Sequence, residues 1–146
     1  MSKSTRIALI VAALAAAVGA VAFLAWWDSV HPLRYLSADR VITAGVGTLG
    51  ARGRVGRDLS PAEIAELCRR LAAARSTGPV DTPGAVRVEL MTRDLGRVEV
   101  EDLSGPGARA AIFAGTPDEK RFTLSSSELG DLLERLRKSL ATDGHR

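Results

Sequence analysis

The chain is poor in the residues that most often carry chemistry. Its 146 residues include one cysteine, Cys68, and two histidines, His31 and His145. A single cysteine excludes an internal disulfide framework. Neither histidine falls inside the region that reads as a folded domain, which excludes histidine general base catalysis and, with one thiol, any four-ligand zinc site there. Aromatics make up 4% of the chain. Beyond Trp27 they are Tyr35, Phe113 and Phe122, too few for a base-stacking platform. Nor is there an excess of charge in the body of the chain. Lys3 and Arg6 account for two of the 20 basic residues, and the remaining 18 face 17 acidic ones, so the net charge of +3 falls to +1 beyond residue 6. Such a balance argues against nucleic acid as a partner.

What is present is long and apolar. Ile7 to Trp27 runs 21 residues without a charge or a proline. As a helix it spans about 31 Å, matching the ~30 Å hydrocarbon core of a bilayer. Ile7, Leu9, Ile10, Val11, Leu14, Val18, Val21, Phe23 and Leu24 favour insertion by about 3–5 kcal/mol together. Trp26 and Trp27 close the run where an interfacial aromatic belt sits, and Asp28 ends it. The reading is a single-pass membrane anchor and the bilayer a partner. Lys3 and Arg6 lie close to the N-terminal end of the run. The positive-inside rule therefore expects a cytoplasmic N-terminus and a C-terminal domain on the outer, periplasmic or extracellular, side. A cleaved secretory signal competes. Ala20-Val21-Ala22 is an A-x-A site, and cleavage near Ala22 gives a secreted protein, although the apolar run continues past it. Ala8, Ala12, Ala16 and Ala20 recur every fourth residue, a spacing that lets membrane helices approach. The 17 arginines against three lysines, with abundant alanine and glycine, match the usage of a GC-rich bacterial genome.

The segmentation that follows is 1–27 tail and anchor, 28–39 juxtamembrane connector, 40–140 a small domain, and 141–146 a polar tail. Val41-Ile42-Thr43 opens a strand near 40–47, and a second is expected near 52–58. Ser60-Pro61-Ala62-Glu63 is a capping box with proline in the first turn, and Ile64, Leu67, Cys68 and Leu71 continue at helical spacing, predicting a helix over 61–75. Val86, Val88 and Leu90, then Val98 and Val100, alternate with charged residues as strands do. A loop Asp94-Leu95-Gly96 joins them as a hairpin expected to set Leu90 opposite Val100, Thr92 opposite Val98 and Glu89 opposite Glu101. Strands over 109–114 and 121–124 follow. Ser125-x-x-Glu128 then opens an amphipathic helix over 126–140 marked by Leu129, Leu132, Leu133, Leu136 and Leu140. The fold class is α+β: an antiparallel sheet of about four to six strands covered by two amphipathic helices, after one N-terminal transmembrane helix.

Motifs for chemistry are sparse. Gly45-Val46-Gly47-Thr48-Leu49-Gly50 has the dinucleotide fingerprint spacing, but the helix that must open in that turn is missing from the sequence that follows. Cys68 shares the apolar face of its helix and reads as core. Glu89, Glu99 and Glu101 interleave with Arg87 and Arg97, the pattern of a salt-bridged sheet face. Arg52, Arg54 and Arg57 form a local basic cluster, a candidate site for a phosphate or an anionic lipid head group. No catalytic, cofactor-binding or metal-binding residue is assigned, no small-molecule substrate is identified, and an enzyme is not expected. The leading expectation is a membrane-anchored, non-catalytic interaction domain, an accessory or assembly component with a protein partner. A ligand- or lipid-binding module using the arginine cluster is the alternative, and a secreted protein with a cleaved signal the second.

Overall fold

The structure is a computed structural model describing residues 1–50, 53–77, 86–103 and 107–143. It separates into two units, Met1–Val30 and His31–Arg146. The first is helix α1 (Lys3–Val30), in which no residue is buried. It begins before and ends after the apolar run. It is long and apolar enough to cross a membrane or to serve as a signal sequence.

The second unit is α+β. Among the described residues one antiparallel sheet holds seven strands: β1 (Val41–Gly50), β2 (Gly53–Asp58), β3 (Arg75–Ser76), β4 (Val86–Thr92), β5 (Arg97–Asp102), β6 (Ala108–Ile112) and β7 (Lys120–Ser125), in the order β2-β1-β4-β5-β6-β7-β3. Helices α2 (Pro61–Ala73) and α3 (Ser127–Asp143) complete it. The strand count exceeds the expected four to six because α2 ends at Ala73, short of the expected 75, and Arg75 and Ser76, read as the last residue of that helix and its stop, pair with Ser125 and Leu124 of β7. Two residues cannot display an alternation, so the sequence carries no periodic sign of that strand.

One face of the sheet is apolar. Val86, Val88, Leu90, Val98, Val100, Ala108, Ala110 and Leu124 are fully buried there with Leu67 and Leu71 of α2 and Leu129 and Leu133 of α3. Leu33 and Leu36, from the segment read as a connector, are buried in the same core at 1% and 6% exposure.

The hairpin of β4 and β5 differs from expectation by two residues. Leu90 pairs with Val98, Val88 with Val100, Arg87 with Glu101 and Glu89 with Glu99. The reason lies in the turn. Thr92 N–H donates to the Gly96 carbonyl at 2.9 Å, so the loop is Arg93-Asp94-Leu95 and Gly96 closes it with φ of +59°. Thr92 Oγ1 also accepts the Leu95 N–H at 3.0 Å. A two-residue shift keeps every side chain on its face. It sets Arg87 rather than Glu89 across from Glu101.

The start of α2 is as the sequence implies: Ser60 Oγ accepts the Glu63 N–H and Glu63 Oε2 accepts the Ser60 N–H. At α3 the cap is Ser126, whose Oγ accepts the Leu129 N–H at 3.2 Å, while Ser125 lies in β7.

Candidate functional site

Arg54 and Arg57 of the arginine cluster both lie on β2, three positions apart. The register sets Arg54 opposite Leu49 and Arg57 opposite Val46. Positions three apart on a strand fall on opposite faces. Arg52 lies outside the described residues. Arg57 points to the helix-covered side, where Nη1 and Nη2 donate to Glu63 Oε2 and Oε1 at 2.9 and 2.7 Å, and Nη2 also to Ser139 Oγ at 2.9 Å. This two-pronged contact fastens β2 to α2 and α3, and the Arg57 hydrogen bonds hold the Glu63 carboxyl down to about 2. Arg57 is thus held in an ion pair with Glu63. The Gly45–Gly50 run that resembles a dinucleotide fingerprint lies wholly within β1, so it is extended strand and not a strand-to-helix turn.

The open face of the sheet carries the densest charge. Glu101 is 6% exposed although no helix covers it. Arg87 Nη2 from β4 donates to its Oε1 at 2.6 Å, and Arg109 Nη2 from β6 donates to Oε2. One carboxylate thus bridges three strands, and the arginine stems roof it. Arg97 pairs with Glu99 and lies 3.5 Å from Glu89, which relieves the like-charge pairing of Glu89 with Glu99 across the hairpin. Arg121 Nε donates to Glu119 Oε1, and Glu119 Oε2 accepts the Gly115 N–H at 2.8 Å. Arg87, Arg109, Arg121, Glu99, Glu101 and Glu119 line a cavity of about 90 Å³. That is room for about three waters and not for a substrate of ordinary size.

Cys68, 2% exposed, has its thiol pushed up to about 11 by burial, the condition of an inert core residue. Among the described residues no group of three or more histidine, cysteine, aspartate or glutamate side chains is placed to hold a metal ion.

No protein-family model matches the chain, no curated protein matches it, and no solved structure matches it.

On the β1–β2 side the open face changes character. Gly45 and Gly47 lie opposite Glu89 and Arg87, and Gly56 lies opposite Gly47. A paired lattice of arginine and glutamate therefore meets bare backbone at Gly45, Gly47 and Gly56, with Asp58 opposite Gly45. Sequence reasoning found the arginines and the glycines but not this juxtaposition, which depends on strand order.

Proposed function

We propose that this chain is a single-pass membrane protein whose α+β domain acts by contact and not by catalysis, as an accessory or assembly component of a membrane complex. The observation that carries the reading is α1: a 28-residue helix, apolar around its circumference, with none of its residues buried. A helix of that kind requires either a bilayer or a partner, because water is a poor solvent for every one of its faces. The domain supports the second half. Its open-face charges are paired with one another. Lys3 and Arg6 favour a cytoplasmic N-terminus with the domain on the outer side. A secreted protein is the second reading, favoured by Ala20-Val21-Ala22 ahead of Phe23.

Carbonate washing of native membranes separates the two. The intact chain stays in the pellet, and a reporter fused after Arg146 is active on the outer side. Ala16→Arg costs about 2.5–3.5 kcal/mol at the centre of a membrane helix, comparable to the whole insertion preference, and releases the protein from the pellet. A mature N-terminus at Phe23 by mass spectrometry overturns the anchor, and a reporter active only in the cytoplasm overturns the orientation.

A further inference from the structure

The β2 strand ends the sheet. Among the described residues no strand lies on its far side. Its hydrogen-bonding groups alternate in direction, and the phase can be read from its end. Leu59 N–H donates to the Ala44 carbonyl at 3.0 Å, continuing the register in which Asp58 faces Gly45. Antiparallel ladders turn both groups of every second residue towards the neighbour, so residues 59, 57, 55 and 53 face β1. Arg54, Gly56 and Asp58 therefore turn their N–H and C=O groups outward. The Asp58 carbonyl accepts from Arg57 Nη1 at 3.1 Å and keeps a second lone pair. Exposed strand edges of this kind invite another strand, and natural edges are usually protected by proline, lysine or a bulge. The β2 sequence, Gly-Arg-Val-Gly-Arg-Asp, has no proline, and its charges of both signs deter an unlike strand but suit one that presents the same charges in reverse order.

We propose that β2 pairs antiparallel with β2 of a second copy of this chain, about a two-fold axis through Gly56. This deepens the membrane-anchored contact-module reading above and rests on it. Three facts select the second copy and the register. A two-fold axis at Gly56 pairs 54 with 58, 56 with 56 and 58 with 54, so all three outward-facing residues of each copy meet their counterparts and six hydrogen bonds form. The same register sets Arg54 of each copy opposite Asp58 of the other, two cross-strand ion pairs from one symmetric contact. Gly56 meets Gly56 at the axis, where no side chain holds the backbones apart. Moving the axis by one residue slips the register by two, which leaves two facing pairs and four hydrogen bonds instead of three and six, and takes Arg54 out of register with Asp58. The contact is short, and confinement of both copies to one membrane supplies the effective concentration that a six-residue strand pair needs.

The test uses the full-length chain with two different tags, co-expressed and crosslinked in the membrane before solubilisation in mild detergent, with one tag captured and the other measured. Wild-type copies co-isolate. Arg54→Asp gives an all-acidic pair of edges and Asp58→Arg an all-basic one, and each alone reduces co-isolation by about fivefold or more, from two opposed pairs made repulsive. Arg54→Asp on one tag with Asp58→Arg on the other restores it, because each charge again meets its opposite. That recovery also shows that both variants fold. Single variants that co-isolate like wild type, or a mixture that does not recover, overturn the β2 pairing. A wild-type chain that is monomeric but crosslinks in the membrane to a different protein overturns self-pairing and leaves the contact module standing. A monomeric chain that crosslinks to nothing overturns both.

Discussion

Val100 and Glu101 are neighbours on β5, one fully buried and the other 6% exposed, yet opposite means remove them from water. Val100 lies under α2 and α3 with the leucines of both helices. Glu101 lies on the face without helices, roofed by Arg87 and Arg109 from the flanking strands. On the first face stability comes from apolar area and close packing, so it depends on separate layers staying docked. On the second it comes from charge balance within the sheet, and a missing partner leaves an excess charge rather than a void. The comparison explains how a thin sheet can leave one face open without exposing a large apolar surface.

The packed face gives the largest expected effect. Leu133 on α3 is fully buried, and Leu133→Ala should lower the unfolding free energy of the full chain in detergent by about 2–5 kcal/mol, through lost burial and the cavity left behind. A loss under about 1 kcal/mol means that α3 is not docked as described.

Glu101→Gln probes the open face. The amide keeps the shape but leaves Arg87 and Arg109, with side chains 36% and 24% exposed, sharing an uncompensated positive charge. A fully buried ion pair broken this way costs about 3–5 kcal/mol, and solvent at these arginines reduces it to about 1–2 kcal/mol. Equal losses for Leu133→Ala and Glu101→Gln erase the distinction between the faces.

How far the sequence disclosed this arrangement follows the same division. The packed face was legible: Val86, Val88, Leu90, Val98 and Val100 alternate, Leu129 to Leu140 recur at helical spacing, and all of them are buried. Periodicity reports a face well because it repeats along one element. What depends on two elements was not legible. The β4–β5 register moved by two because both registers satisfy the apolar alternation, and the Thr92–Gly96 hydrogen bond chose between them. Leu33 and Leu36 stood in a short segment with no period to mark them as core. The tie of Arg57 to Glu63 and Ser139 was not legible either, because Ser139 is 82 residues away in the chain. The outward groups of β2 became visible only with the strand order.

The smallest expected effect is a pH dependence at the one place where the arginine cluster meets the packed face. The Arg57 fork, helped by the Ser60 N–H, holds the Glu63 carboxyl at about 2 against an ordinary 4.5. A carboxyl with a lowered folded-state value binds protons more tightly in the unfolded chain. The stability it contributes is therefore fully present above about pH 4.5 and is lost as the pH falls towards 2. The Glu63 side chain is 29% exposed, which limits the contribution to about 1–2 kcal/mol. Glu63→Gln removes the titration while keeping an acceptor near Arg57 and Ser60. Glu66, Glu119 and Glu134 are also held low by their arginine partners or a backbone N–H, but they titrate alike in both proteins and cancel in the difference. The wild-type chain should be the more stable by about 1–2 kcal/mol at pH 6, with the gap closing steadily below pH 4.5. A gap that stays constant from pH 6 to about 2.5 would show that Arg57 does not clamp Glu63, and that β2 is held to the helices by packing alone.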